Sequence, residues 1–314
     1  MVQAAQTTAV TRIGTRGSPL ALAQARMVQA QLAAARGLEV EHFPLTIIRT
    51  TGDVIQDRTL AEAGGKGLFT KEIEEALLRR TIDLAVHSAK DVPTVLPDGL
   101  VLTAVLPRED PRDVFIGRSA KFLHELAPGA VVGTASLRRQ ALVKRLRSDI
   151  EVVPIRGNVE TRLRKLKEGA VDATLLALAG LKRLGLVEAA SSIFPVEEFL
   201  PAVGQGVVAI ETRADDRSTR ALLETINHAE TFTALVAERA FLAVLDGSCR
   251  TPIAGHATVA QGRLTFHGLI AKPDGRESFA CVREGALSEA GALGHDAGLE
   301  LKRQAGADFL KAVL

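Results

Sequence analysis

The chain has no tryptophan and no tyrosine, so eleven phenylalanines carry all of its aromaticity apart from histidine. Proteins that bind single-stranded nucleic acid usually stack its bases on aromatic side chains. No phenylalanine lies between Phe122 and Phe194, the interval that holds the basic helix of residues 138–147. That lack weighs against a nucleic-acid partner, and a net charge of only +2 supplies no global basic field to attract one. The two cysteines form no CxxC pair, which leaves neither a disulfide framework nor a zinc site, and no metal is expected. The longest apolar run, residues 173–181, falls well short of the ~20 residues of a membrane span. Residues 1–10 are polar and rich in alanine and threonine, without the apolar stretch of a secretory signal. A cytoplasmic protein without membrane contact is the expectation.

What is present is an ordinary globular composition, 46% hydrophobic and 24% charged over 314 residues, enough for two or three cores. Arginine outnumbers lysine heavily. The guanidinium fork is the better shape for binding carboxylates and phosphates in a bidentate manner.

Strand and helix signals alternate through most of the chain. Residues 11–16 read as a strand, and Ser18 is a helix N-cap followed by Pro19, with Gly37 past the helix end near residue 35. A strand over 40–50 precedes a polar, glycine-rich stretch, 51–67, expected to be a mobile loop that closes over a cleft. A helix over 68–80 and a short buried strand over 83–87 follow. The logic repeats with strands at 130–132, 152–155 and 172–177 and with helices opened by Ser136 and Asn158. Such alternation predicts parallel sheets with right-handed crossovers, here two α/β lobes hinged near residues 106–111. Beyond residue 229, a helix to about 245, β-like runs over 253–259, 264–270 and 278–282 and a helix from about 288 describe a small α+β domain.

The chemistry collects at strand ends. The segments Gly133-Thr134-Ala135-Ser136-Leu137-Arg138-Arg139 and Ile155-Arg156-Gly157-Asn158-Val159-Glu160-Thr161-Arg162 each run from a strand into a helix N-terminus. Backbone N–H groups, hydroxyls and guanidinium groups converge there on an anion site. Arg16 and Ser18 follow the first strand, and Arg183 follows the strand and loop that end in Ala179-Gly180. His87-Ser88-Ala89-Lys90-Asp91 leaves the buried strand. Asp91 beside Lys90 is either a general acid/base or a local ion pair, and His87 reads as a hydrogen-bonded core residue. Cys281 lies in an alternating run and reads as an inert packed thiol. Cys249 lies in a Gly/Ser turn next to Arg250, where access and a neighbouring cation favour a reactive thiolate.

Taken in order, these segments resemble porphobilinogen deaminases (hydroxymethylbilane synthases). The likeness rests on Arg16-Gly17-Ser18-Pro19-Leu20-Ala21, Gly64-Gly65-Lys66-Gly67-Leu68-Phe69, residues 87–93, Arg108-Glu109-Asp110-Pro111-Arg112-Asp113 and residues 133–140. It continues through residues 155–163, Pro201-Ala202-Val203-Gly204-Gln205-Gly206, and Cys249 with Pro252-Ile253. Ser248 before the cysteine, Arg250-Thr251 after it and Ala89 depart from the family pattern but remove no reactive group.

The resemblance implies two hinged α/β lobes like those of type-II periplasmic binding proteins, plus the small C-terminal domain. The first lobe would comprise residues 10–106 with 202–225, the second 107–201 and the third domain 226–314. It also implies a dipyrromethane cofactor on Cys249 through a thioether, with Asp91 as the catalytic carboxylate. Ser88, Lys90, Thr134, Ser136, Arg138, Arg139 and Arg162 would hold the cofactor; Arg16, Ser18, Arg156, Arg183 and Gln205 would hold substrate. The activity implied is head-to-tail joining of four porphobilinogens and hydrolytic release of hydroxymethylbilane, by a monomer that hands its product to uroporphyrinogen-III synthase. A binding module for a small anion, built on the same two lobes, is the alternative that Cys249 and Asp91 argue against.

Overall fold

Why the chemistry gathers on one side follows from the order of the strands. The computed structural model describes residues 10–54, 67–246 and 251–313. In the first lobe, strands β1 (Ile13–Thr15), β2 (Leu45–Ile47), β3 (Leu84–Ser88), β4 (Leu100–Val105) and a late strand, β10 (Val208–Arg213), form a sheet in the order β2-β1-β3-β10-β4. In the second, β5 (Asp113–Gly117), β6 (Val131–Gly133), β7 (Glu151–Val153), β8 (Ala173–Ala177) and β9 (Ser192–Ile193) form the sheet β7-β6-β8-β5-β9. Strands β4, β5 and β9 lack an alternating polar pattern strong enough to show in the sequence.

The sheets are mixed, which corrects the expectation of parallel ones. β10 runs antiparallel to β3 and β4, and β5 antiparallel to β8 and β9. The cause is the path of the chain. It leaves the first sheet at the carboxyl end of β4, enters the second on β5, and later returns to the first on β10. A strand arriving from the cleft side starts there and must run against its neighbours. Thus Asp113, the first residue of β5, sits opposite Ala177 at the end of β8, and Val208, the first of β10, sits opposite Ser88 at the end of β3.

The helices start where local chemistry dictates. Ser18 accepts a hydrogen bond from the Ala21 amide at the head of α1 (Pro19–Arg36), and Gly37 ends it at φ 60°. Ser136 and Asn158 cap α4 (Leu137–Leu146) and α5 (Val159–Lys167) in the same way. The stretch read as a strand over 40–50 is a single helical turn, Val40–His42, followed by β2 alone. Thr51–Val54 forms a short helix, α2; most of the remaining proposed closing loop, 55–66, lies outside the described residues. The helix read over 68–80 is the shorter α3 (Lys71–Leu78).

After α6 (Leu178–Arg183) and α7 (Arg217–Glu224), the long helix α8 (Ala229–Val244) leads to the third sheet, β11 (Ile253–Ala260), β12 (Arg263–Ala271) and β13 (Ser278–Ala286), and to α9 (Ala290–Val313). The antiparallel register pairs Ala260 with Arg263, so Gln261-Gly262 is a two-residue hairpin turn, with φ of 51° and 72°. Phe241 of α8 and Phe266 of β12 centre this core. Each such buried side chain contributes roughly 1.5–3 kcal/mol. The other cores knit the parts together. Ala254, Leu269 and Ala271 join the second lobe's core around Phe115 and Phe199, while Leu235 of α8 packs with Ala89, Val105, Val207 and Ala209 of the first. No helix among the described residues is long and apolar enough to cross a membrane.

Candidate active site

The second lobe presents its arginines already aligned. Arg138 and Arg139 occupy the first turn of α4, and both are buried. Arg139 donates from Nε and Nη2 to Asp113 Oδ1 at 2.9 and 2.7 Å, and from Nη1 to the Leu175 carbonyl at 2.9 Å. Arg138 places Nη2 2.8 Å from Asp113 Oδ2, donates from Nη1 to the Leu200 carbonyl and lies over the Phe199 ring. Its Nε is buried with no partner. Burial opposes ionisation of Asp113, but Arg138 and Arg139 outweigh it and hold the carboxyl below its ordinary range. One carboxylate thus orients two guanidinium groups without consuming their five N–H donors apiece.

Arg162, on α5, donates from Nε to the Gly157 carbonyl at 2.9 Å. Burial first, then Arg139, pushes its guanidinium down to about 10, while Asp91 acts the other way. Arg156 follows β7 and is half-buried. Thr134 is buried and accepts from the Ser136 amide, and Ser136 accepts from the Arg139 amide as the α4 cap.

Facing these, the first lobe ends β3 in a single helical turn, Ala89–Asp91. Burial, then Arg139, pushes the Lys90 ammonium down to about 8, with Asp91 and Asp113 opposing. Lys90 and Arg162, from different lobes, therefore both feel Asp91. Ser88 accepts from Gln24 Nε2 at 2.9 Å. Ser18 is occupied as the α1 cap, and Arg16 pairs with Asp53 and stacks over Phe69 at 4.3 Å. His87 is a buried core residue, as read: its Nε2 lies 3.1 Å from Glu211 Oε2.

The crossing segments form the floor. Gln205 is buried, donates from Nε2 to the Pro111 carbonyl at 2.6 Å and receives Lys90 Nζ at 3.5 Å. Gly204 and Gly206 flank it at φ 72° and 86°, and a Cβ on Gly206 would lie 2.3 Å from the Glu109 carbonyl oxygen. Arg183 is at the end of α6, not at a strand end, and donates to that same residue's carbonyl, Gly206 O, at 2.7 Å, leaving a buried, unpartnered Nε. Below the floor, Glu238 of α8 accepts from Arg108 at 2.7 and 2.9 Å and from the Gly204 and Ala257 amides. Burial works against its charge, yet Arg108 and His256 hold it down to about 2.

Lys90 thus comes within electrostatic reach of Asp91, Arg138 and Arg139, and Arg162 within reach of Asp91 and Arg139. Four of these five groups are cations, and Asp113 adds only one more carboxylate. Cys249 lies outside the described residues, as do Ser248 and Arg250. Cys281 is buried, its Sγ 3.7 Å from the Ala297 carbonyl, and burial pushes the thiol up to about 11, which suits an inert side chain. Asp113 went unassigned in the sequence, although it closes the Arg108–Asp113 motif; only its position as the first residue of β5, beside Arg138 and Arg139, gives it a role. Glu238 lay unremarked within the helix read over residues 229–245. Among the described residues no cluster of His, Cys, Asp and Glu is arranged to hold a metal ion.

Residues 11–221 match the family profile described as porphobilinogen deaminase, dipyromethane cofactor binding domain, and residues 232–303 match the porphobilinogen deaminase C-terminal domain. A porphobilinogen deaminase of Nitrobacter winogradskyi is 60% identical over 304 residues, covering 97% of this chain and 96% of the relative. One of Nitrobacter hamburgensis is 59% identical over 309 residues, covering 98% of each. Among solved structures, the methionine-binding protein MetQ aligns at 15% identity and a TM-score of 0.44, over 73% of this chain and 93% of that one.

Proposed function

The chain belongs to the porphobilinogen deaminase family, and from that premise and the charge balance of the cleft we propose that it joins four porphobilinogens head to tail and releases hydroxymethylbilane by hydrolysis. The observation that carries this reading is the surplus of cations, Arg138 and Arg139 buried and Lys90 and Arg162 half-buried. Lys90, Arg138, Arg139 and Arg162 are desolvated around Asp91 and Asp113, and the unpartnered Nε atoms of Arg138 and Arg183 add further donors. Burying unpaired charge costs several kcal/mol per ion. Each pyrrole carries two carboxylates, so a polycarboxylate ligand is what such a cleft is stabilised by.

Dipyrromethane, the cofactor the family domain is named for, fits this donor set and supplies a nucleophilic pyrrole carbon when bound. Cys249 would hold it through sulfur, and Ser88, Lys90, Thr134, Ser136, Arg138, Arg139 and Arg162 would hold its acid side chains. Arg16, Ser18, Arg156 and Arg183 would receive the incoming porphobilinogen, with Gln205 acting through Lys90. Asp91, as a carboxylate, would hydrogen-bond the substrate's ammonium group so that ammonia can leave, offset the cation left on the substrate, and take up the proton that the joining pyrrole carbon loses, which the released ammonia carries away. Lys90 and Arg162 keep that carboxylate in place between the lobes.

The same reading divides the chain into residues 10–106 with 202–225, 107–201 and 226–314, a division supported by β10 lying in the first sheet. It carries the enzyme as a cytoplasmic monomer whose product passes to uroporphyrinogen-III synthase. Intact mass is the test. A two-pyrrole adduct that disappears in Cys249→Ala and persists in Cys281→Ala is the expected result. Bare chain mass in active preparations would overturn the covalent cofactor; bare mass without tetrapyrrole formation would leave an anion-binding module.

A further inference from the structure

Directly after Asp91 the backbone loses its own means of support. The turn Ala89–Asp91 is closed by the Val92 amide donating to the Ala89 carbonyl at 3.2 Å. The three carbonyls that follow, those of Val92, Pro93 and Thr94, accept from no backbone N–H among the described residues. One side chain serves all three. Arg239 of α8 donates from Nη1 to Val92 O at 3.3 Å, and from Nη2 to Pro93 O at 2.6 Å and Thr94 O at 3.1 Å.

We propose that Arg239 is a positioning residue for Asp91: its guanidinium fork clamps the backbone just beyond the carboxylate and sets where that carboxylate sits in the cleft. The inference rests on Asp91 being the catalytic group. Arg239 forms no ion pair with a carboxylate among the described residues, so a mostly buried charge is devoted to main-chain carbonyls. Burial pushes its pKa down, and only Glu211 opposes. A cation kept at that cost for a loop needs a reason beyond stability, since three neutral side-chain donors would serve the carbonyls alone.

The clamp stands on a rigid base. Glu238, the neighbouring residue, ties α8 to Arg108, Gly204 and Ala257, and Leu235, one turn earlier, packs against Ala89 at the start of the Asp91 turn. Arg239 therefore references the position of Asp91 to the helix that also fixes the crossing segments. A shift of about 1 Å in a catalytic group can cost on the order of 100-fold in rate.

Arg239→Lys keeps the charge and loses the fork, because one ammonium cannot span three carbonyls. Arg239→Gln loses both. In holoenzyme purified with its adduct, both variants should keep the two-pyrrole mass, the KM for porphobilinogen and, to within a few degrees, the Tm. Their kcat should fall roughly 10- to 100-fold, with faster amide exchange over residues 88–96. Added guanidinium should restore part of the rate to Arg239→Ala. Wild-type kcat in Arg239→Lys would overturn the clamp. So would parallel losses of Tm, adduct and kcat, which mark a structural residue only. A wild-type protein with neither adduct nor tetrapyrrole product would instead overturn the family activity, so the two failures are separable.

Discussion

At the cleft, the strand ends of the first sheet carry Lys90, Asp91 and an Arg16 already paired with Asp53. The corresponding ends of the second carry Arg138 and Arg139 on the carboxylate of Asp113, with Arg156 after β7 and Arg162 on α5. The two sheets share one strand order and one reversed fourth strand. Topology therefore decides where functional side chains gather, and the residues at the turns decide what each lobe does. On the function proposed above, the first lobe would bring a proton-transfer group and the second a cradle for acid side chains.

If that division holds, the largest loss should come from the first lobe. Asp91→Asn keeps shape and hydrogen bonding but removes the transferable charge, so kcat should fall ~10²–10⁴-fold. Intact mass should still show the adduct. A variant with near-normal turnover would reduce Asp91 to a local ion pair.

The two carboxylates that hold arginines should differ in stability when removed. Asp113→Ala strands two buried guanidinium groups and should cost ~3–5 kcal/mol by urea unfolding. Asp53→Ala breaks a pair that remains about one-fifth exposed on either side and should cost no more than ~1 kcal/mol. Equal losses would erase the contrast between the lobes.

Individual arginines should sharpen it. Arg138→Leu or Arg139→Leu should yield protein without the adduct, whereas Arg183→Leu should yield holoenzyme that stalls during chain extension. A charge-assisted hydrogen bond contributes ~1.5–3 kcal/mol, equivalent to roughly ten- to a hundredfold in the affected step. Identical mass profiles in the three variants would contradict the assignment.

A last effect is a pH dependence. Lys90 releases its proton near 8 in the fold and near its ordinary 10.5 when unfolded. Below pH 8 both states are charged, and the half-buried ammonium destabilises the fold by its full amount. Between 8 and 10.5 the unfolded chain binds the extra proton, so stability rises with pH until the penalty is gone. In the adduct-free Cys249→Ala background, Lys90→Met should be the more stable at pH 7, with the gap closing by pH 10.5. A gap that does not change with pH would show that Lys90 is not desolvated.

Much of this was legible in the linear chain. Ser18-Pro19 with Gly37, Ser136 and Asn158 mark helix ends because caps are local, and each does its capping in the fold. The strand-to-helix transitions also showed where the arginines cluster. Strand β2 was overread because the run 40–50 is apolar enough for a strand but is interrupted by a turn around Glu41 and His42 and by Pro44. Arg183 was placed at a strand end, whereas the short helix α6 carries it to the crossing segment.

The sequence by itself determined the capped helices, the apolar strand cores and the supply of cations at turns, since each depends on neighbours a few residues away. Only the tertiary structure decided that β5 and β10 run against their neighbours, that Asp113 pairs with both Arg138 and Arg139, and that Arg239 reaches the carbonyls after Asp91. Those partners are separated by 26 positions for Arg139 and Asp113 and by 147 for Arg239 and Val92. Such contacts have no local periodicity to betray them: they exist because the chain crosses the cleft twice, and a strand that enters from the cleft side must begin there.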